Sequence, residues 1–247
     1  MSEIEFRKNA VNPSNCIREG WNLIKPNYGV FFGMATVAML IIIAIGFIPY
    51  LGEFIGPFVS GPLTCGIFFA MLAESRGETA KFSMLLEGFK RFLPSFLVSL
   101  ITTIPYFILS LTTYLFGFLQ EQTLNNANDS GISVSHITDS DLATFLPIFV
   151  AVLVSSVIGL LLFFALPLIA DRNLNFAEAA RLSIGAATSN FGGLIVLFVL
   201  EMLITLAGLL AFCIGVLFVL PVIYASYFAA YRSVFPEEQS SFFNEPP

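Results

Sequence analysis

The fold of this chain is decided by residues 17–48, which read IREGWNLIKPNYGVFFGMATVAMLIIIAIGFI. In the first part, apolar residues recur at Ile17, Trp21, Ile24 and Tyr28, a spacing that places them on one face of a helix. Farther along, charged residues disappear, and the apolar run is long enough to cross a bilayer. The sequence therefore predicts an amphipathic helix that leads into a membrane span.

The composition of the whole chain points to the same class of protein. Hydrophobic residues make up 57% of it, charged residues 11%, and the mean hydropathy is +0.86, values typical of membrane proteins. We expect an all-α polytopic membrane helical bundle of about six transmembrane helices, arranged as three hairpins, each preceded by an amphipathic helix on the cytoplasmic side. The predicted spans are Gly29 to Leu51, Phe54 to Ala73, Pro94 to Leu119, Ala143 to Ala170, Phe191 to Leu210 and Phe212 to Phe235.

The last two predicted spans adjoin without a charged residue between them. A single helix of that length would be about twice as long as the bilayer core is thick, so we expect a hairpin around Gly208 to Gly215. A re-entrant pair that never reaches the far side remains the alternative.

All eleven Lys and Arg residues fall on one side of the predicted membrane. By the positive-inside rule this side is cytoplasmic, so we expect a multi-pass protein of the inner (plasma) membrane with both termini in the cytoplasm. On the other side, the loop Gln120 to Leu142 lacks Lys and Arg and is expected to form a polar cap. Cys16, Cys65 and Cys213 offer no pair to an oxidising compartment, so no disulfide is predicted.

The segments before the odd-numbered spans share a pattern, and they are called lead-in segments below. Glu19-Gly20-Trp21 matches Glu87-Gly88-Phe89 after a shift of 68 positions; after a shift of 163, Arg181 answers Arg18 and Asn190-Phe191-Gly192 answers Asn27-Tyr28-Gly29. Each second span carries a proline, namely Pro62, Pro167 and Pro221. A threefold repeat is one interpretation, and chance similarity between short apolar strings is the other. The predicted organisation is an N-terminal cytoplasmic tail (1–13), one integral membrane domain (14–235) with repeats 14–75, 79–170 and 175–235, and a disordered C-terminal tail (236–247).

Helical spacing of apolar residues extends to the other two lead-in segments. The second has Phe82, Leu85, Leu86, Phe89 and Leu93, and the third has Phe176, Ala179, Ala180, Ile184 and Ala187. Asn12-Pro13 and Asn175 with Glu178 are predicted helix starts. Helices of this kind either lie in the lipid headgroup zone or pack as lids on the ends of the bundle, and both interpretations stay open.

Glu201 is the ionisable residue that lies deepest in a predicted span, so it is the candidate intramembrane polar site, with Thr205 one turn on and Tyr224 and Ser226 on the neighbouring span. A functional interpretation is a proton or cation site. The structural alternative is a neutral Glu that is hydrogen-bonded between helices.

A second candidate site is a membrane-surface or partner contact on the lead-in segments. Its residues are Trp21, Lys25, Phe89, Lys90, Arg91 and Arg181. The expected partners are membrane lipids and either a membrane protein partner or a second copy of the chain as a homo-oligomer. Nucleic acid is disfavoured, and no catalytic constellation, metal site or cofactor motif is found in the sequence.

Several stretches give the chain a resemblance to a family of uncharacterised bacterial membrane proteins. They are residues 17–21 (IREGW), 48–52 (IPYLG), 60–63 (SGPL), 76–78 (RGE), 86–89 (LEGF) and 166–172 (LPLIADR). The chain resembles, over about residues 14–235, YciC-like proteins and the membrane domain of some glycerophosphodiester phosphodiesterases. The resemblance implies a multi-pass inner-membrane protein without an established activity, and it implies no catalytic residues because the phosphodiesterase domain is a separate soluble unit.

Two functions are compatible with these observations. The leading hypothesis is a non-enzymatic integral membrane module that interacts with lipid or protein through its lead-in segments. The alternative is a small-solute or proton-coupled transporter that uses Glu201.

Overall fold

The computed structural model describes residues 4–48, 51–129, 141–210 and 215–237. In this part of the chain every regular element is helical: α1 (Pro13–Ile24), α2 (Tyr28–Gly46), α3 (Leu51–Ser75), α4 (Met84–Glu87), α5 (Phe92–Asp129), α6 (Asp141–Leu161), α7 (Ala165–Arg172), α8 (Phe176–Ser189), α9 (Phe191–Leu210) and α10 (Gly215–Val234). Two 3₁₀ turns, Lys25–Asn27 and Gly88–Arg91, join α1 to α2 and α4 to α5.

Six helical segments are long and apolar enough to cross a membrane, which confirms the predicted all-α polytopic bundle. They are Pro13–Gly46, Phe54–Ser75, Met84–Thr112, Leu146–Arg172, Phe191–Leu210 and Gly215–Val234. In α9 and α10 these segments have 20 residues each. Because Gly208 of α9 approaches Gly215 of α10, the two helices meet near their connection, as a hairpin requires.

The predicted outer loop is shorter than its sequence suggested. α5 continues to Asp129 and α6 begins at Asp141, so the ends of Gln120 to Leu142 are helical, while residues 130–140 lie outside the described part. Gln, Glu and Leu have high helix propensity, and extending an existing helix costs much less than starting one. The polar residues after Leu119 therefore end the apolar span, but the helix α5 continues through them to Asp129.

The chain divides into two compact units. One comprises Met1–Ser99 and Leu160–Pro247, and the other comprises Leu100–Gly159. In the first unit, α3 contacts both α7 and α10, and its core contains the fully buried side chains of Phe68, Phe164, Phe228 and Tyr231. In the second unit, large apolar side chains such as Ile108, Phe149 and Leu153 are exposed, as expected of helices that face lipid.

α1 packs into its unit through a face that contains small residues as well as an apolar one. Cys16, Gly20 and Ile24 point into the unit, whereas Trp21 is 40% exposed. Of the apolar face formed by Ile17, Trp21, Ile24 and Tyr28, Ile24 is therefore buried while Trp21 is exposed. The physical reason is close packing: a Cβ on Gly20 would lie 2.5 Å from the carbonyl carbon of Ala225 in α10, a distance that only glycine permits.

The second lead-in segment departs from a regular helix, while the two predicted helix starts are confirmed. This segment consists of the single turn α4 and the 3₁₀ turn Gly88–Arg91, because Gly88 approaches the backbone of α3 and Pro94 cannot donate a helical hydrogen bond.

Side-chain hydrogen bonds cap both predicted helix starts. The Asn12 side chain accepts a hydrogen bond from the Asn15 N–H (3.3 Å), and the Asn175 side chain accepts one from the Glu178 N–H (3.0 Å).

Each lead-in segment packs against the second span of a hairpin, in cyclic order. Gly88 meets Pro62 and Gly66 in α3. The Ser183 hydroxyl of α8 accepts from the Phe164 N–H and donates to the Leu161 carbonyl where α6 gives way to α7. Gly20 of α1 then meets α10, the last helix. The second and third lead-in segments each contact the hairpin before them, and the first contacts the last hairpin. These three contacts are called the ring of contacts below.

The three small residues in these contacts are equivalent under the predicted repeat. Gly20 becomes Gly88 after the shift of 68 and Ser183 after the shift of 163. The partners agree in two of the three cases, since Gly66 and Ala225 each follow the span proline by four positions. The threefold repeat stays a prediction, and these contacts are the kind that it would require.

The segment before α1 is bound to the rest of its unit. The Arg7 N–H donates to the Val234 carbonyl (2.9 Å), and the Asn190 side chain accepts from the Ala10 N–H (2.7 Å) and donates to the Arg7 carbonyl (3.0 Å). Residues 4–12 of the predicted N-terminal tail therefore pack between the α8–α9 junction and the end of α10.

Candidate functional site

The ends of three spans meet in a cluster of charged side chains, which is called the polar cluster below. Its members are Arg76 after α3, Asp171 and Arg172 at the end of α7, and Tyr231, Arg232 and Glu237 at and after the end of α10. Each span ends with an unpaired row of carbonyls, and arginines at helix C-termini are favoured there. The element ends thus bring together residues from three distant parts of the sequence.

Asp171 is the centre of the polar cluster, and its side chain is only 3% exposed. It pairs with Arg76 (2.8 Å), Arg232 (3.4 Å) and its neighbour Arg172 (3.5 Å), and the Tyr231 hydroxyl donates to it (2.6 Å). Because a buried carboxylate is costly without partners, these contacts offset the loss of hydration. Asp171 thereby joins the ends of α3, α7 and α10.

Glu237 forms the outer part of the polar cluster. Its carboxylate lies 2.5 Å from Arg232 and 3.4 Å from Arg76, while its side chain is half exposed. A polar cavity of about 450 Å³ opens beside it and is lined by Arg76, Asp171, Arg172 and Glu237. Both carboxylates are already paired with arginine, so the cluster has the properties of a structural junction.

Glu201 lies on α9, half-buried, against α10. The Ser226 hydroxyl donates to its carboxylate (2.6 Å), and the Thr205 hydroxyl donates to its backbone carbonyl (2.7 Å). Tyr224 is elsewhere, with its ring edge-on to Phe68. Of the residues named beside Glu201 in the sequence, Ser226 therefore reaches the carboxylate, Thr205 reaches the backbone, and Tyr224 packs against α3.

A lateral groove of about 430 Å³ opens next to Glu201. It is lined by Phe198, Met202, Leu206, Leu209, Ile223 and Thr205 besides Glu201 itself. Phe198, Met202, Leu206 and Leu209 are all about half exposed, on the side of α9 that faces away from the unit. The groove therefore has the character of a lipid-facing surface with one carboxyl group among its lining residues.

The predicted surface residues lie on the three lead-in segments. Trp21 and Arg181 are exposed on α1 and α8, Lys25 is exposed in the first 3₁₀ turn, and Phe89 and Lys90 are exposed in the second. Lys90 forms an ion pair with Glu87 (2.8 Å). Arg91 is half-buried and lines a separate pocket with residues of the α7–α8 connection.

Sequence reasoning missed Asp171, Tyr231 and Glu237 as members of a site. Arg76, Arg172 and Arg232 were used only to orient the chain. The available signal was an acidic residue beside an arginine at the end of a span. The partners of Asp171 other than Arg172 are 60 to 95 positions away and could not be read from it. Within the described residues, no group of three His, Cys, Asp or Glu side chains is arranged to hold a metal.

Comparison of the chain with known proteins finds no match among family models, curated proteins or solved structures. The resemblance to YciC-like proteins thus stays a prediction. The class that the fold defines is a multi-pass helical membrane protein with six candidate spans.

Proposed function

We propose that this chain is a non-enzymatic integral protein of the inner membrane that binds membrane lipid through its lead-in segments, with both termini in the cytoplasm. The observation that carries the proposal is the exposure of aromatic and leucine side chains beside Lys and Arg on those segments. Helices with this mixture bind the headgroup zone through apolar burial and attraction to anionic lipid.

Two lead-in segments show the combination clearly. In the first, Trp21 is exposed next to Lys25, and its ring packs 5.6 Å from that of Tyr28. In the second, Leu86 is 65% exposed close to Lys90. Trp and Tyr prefer the membrane–water interface, and lysine side chains reach the headgroups from there.

The proposal is tested by the lipids that accompany the protein in polymer discs cut from its native membrane. Wild-type protein should carry a larger fraction of anionic phospholipid than the surrounding membrane, as measured by mass spectrometry. Replacing Lys25, Lys90 and Arg181 with Gln should reduce this enrichment, because each cation near an anionic surface contributes about 1 kcal/mol.

The matched control keeps the charge and changes the side chain: Lys25→Arg, Lys90→Arg and Arg181→Lys together should leave the enrichment intact. If neither triple variant changes the lipid content, the lead-in segments do not select lipid. Co-isolation of one stoichiometric protein, or of a second copy of the chain, with only bulk lipid would favour the protein-partner form of the hypothesis.

A proton-coupled transporter is the second candidate function, and the hydrogen bond between Glu201 and Ser226 inside the membrane-spanning part is the observation that favours it. In vesicles with an imposed potential, such a protein would move protons, and Glu201→Gln would abolish the flux. A structural Glu201 would tolerate Gln, since the amide oxygen can accept the same bond from Ser226. Equal thermal stability of both proteins without proton flux would contradict transport by Glu201.

A further inference from the structure

A pocket of about 490 Å³ beside the start of α5 combines one cation with apolar walls. Its lining comes from two stretches far apart in sequence, Arg91 to Leu97 and the α7–α8 connection with the first turn of α8. The two stretches are held together because α7 contacts the 3₁₀ turn that ends at Arg91. The residues that line the pocket are Arg91, Leu93, Pro94, Leu97 and residues 173–177.

Arg91 brings a positive charge that no acidic side chain balances in the described chain. It is half-buried, and none of the ion pairs formed among residues 4–48, 51–129, 141–210 and 215–237 includes it. Its neighbour Lys90 differs in both respects, being 72% exposed and paired with Glu87. A guanidinium in this position favours an anion with several oxygens, and phosphate matches its planar donor geometry.

The apolar walls decide what kind of phosphate compound fits. Leu93, Leu97, Leu174 and Phe176 contribute hydrocarbon surface, and Leu93 remains 63% exposed. A small soluble phosphate would leave this surface in water, whereas an acyl chain would cover it at a gain of roughly 25 cal/mol per Å². The pocket also lies where α5 begins its apolar run, so an acyl chain could continue along the span.

We propose that this pocket binds one anionic phospholipid, with the phosphate on the Arg91 guanidinium and the upper part of an acyl chain against Leu93, Leu97 and Phe176. The inference rests on the proposed function, and it adds the ligand class, the stoichiometry and the place. The site differs from general attraction at the lead-in surface because it requires a single arginine and an intact apolar pocket.

The test compares Arg91 with Lys81, an exposed lysine of the same part of the chain. Detergent-purified full-length protein is titrated with dioleoylphosphatidylglycerol, and bound lipids per chain are counted by native mass spectrometry. Wild-type protein should hold one lipid more tightly than the rest. Arg91→Gln should weaken that site at least about tenfold, because a charge-assisted hydrogen bond is lost. Lys81→Gln removes one exposed positive charge from the segment before α4 and should change the affinity by less than about twofold.

A second variant tests the apolar part without touching the charge. Ala177 lines the pocket and is exposed, so Ala177→Phe should fill the space while the fold is retained. The single tight site should then be lost although Arg91 is present. Glycerol 1-phosphate should not displace the lipid. Displacement at equal concentration would indicate a soluble phosphate ligand and overturn the lipid assignment.

The outcomes separate this inference from the proposed function. If anionic lipid is enriched in the polymer discs but Arg91→Gln and Lys81→Gln titrate alike, the pocket assignment is wrong and the lead-in surface still selects lipid. If the discs hold only bulk lipid while one lipid binds through Arg91, the pocket stands and the broader proposal fails. A melting temperature equal to that of the wild type establishes that each variant is folded.

Discussion

At the scale of single residues, Asp171 is the side chain that joins the ends of α3, α7 and α10 through charged contacts. Three arginines and one tyrosine hydroxyl surround a carboxylate that is almost fully buried. Glu237 contacts two of the same arginines, yet half of its side chain is exposed. Water therefore screens the pairs of Glu237 much more strongly than those of Asp171, so the two carboxylates should differ in their contribution to stability.

Replacing Asp171 with Asn should lower the free energy of unfolding by about 3 kcal/mol, the lower end of the range for breaking a buried ion pair, since Arg76 remains half exposed. Thermal unfolding of the detergent-purified protein measures the change. Glu237→Gln is the matched control and should cost less than about 1 kcal/mol. Equal losses for both variants would show that Asp171 is not the centre of the cluster.

At the scale of elements, the chain uses small residues to bring lead-in segments onto spans. A Cβ on Gly88 would overlap the backbone of Pro62 in α3, and a Cβ on Gly20 would lie 2.6 Å from the Ser226 nitrogen. Backbone atoms inside a helix cannot move aside as flexible side chains do. In each case the lead-in segment would have to move away from the span, which would disrupt the ring of contacts between lead-in segments and spans.

Gly20→Ala should therefore destabilise the protein by about 1 to 3 kcal/mol, the usual cost of overpacking. Gly29→Ala is the control at the start of α2, because nothing lies within 4 Å of the added Cβ. It should be neutral or stabilising by up to about 1 kcal/mol, since alanine favours helix. Thermal melting of both variants gives the comparison. A harmless Gly20→Ala would mean that α1 does not pack closely on α10.

A neighbouring span also supplies a hydrogen bond that Pro167 removes from its own helix. Pro167 has no N–H, so the carbonyl of Phe163 one turn earlier lacks its usual helical donor. The Tyr227 hydroxyl of α10 donates to that carbonyl instead. The carbonyl that Pro167 leaves without a backbone donor is thus satisfied by a side chain from another span, which is how membrane helices tolerate such breaks.

At the scale of the whole molecule, the distribution of charge makes a prediction about orientation. The polar cluster joins the ends of α3, α7 and α10, and these ends carry Arg76, Arg172 and Arg232. By the positive-inside rule this face is expected to be cytoplasmic. A reporter inserted between residues 131 and 136 should read as external, and one fused after Glu237 should read as cytoplasmic. The opposite pair of readings would invert the proposed orientation, and equal readings would contradict six spans.

How much could be predicted depends on the range of the interactions involved. Hydrophobic run length and helix capping are local properties, so the six spans, Asn12 as a helix start and Asn175 as another followed from the sequence. The helical extension of α5 does not follow from the sequence pattern, because polar residues mark the end of an apolar span without marking the end of a helix. The proximity of Glu201 to Ser226 was anticipated, because the two lie on adjoining spans.

By itself, the amino-acid sequence determined the class of this protein, since runs of about 20 apolar residues are long enough to cross a bilayer, and in lipid a helix satisfies all the backbone hydrogen bonds of such a run. Only the tertiary structure decided which face of α1 is buried, which arginines pair with Asp171, and which apolar residues line a pocket together with Arg91. These features arise from contacts between residues separated by tens of positions. Their geometry depends on backbone approach distances, which side-chain periodicity does not encode.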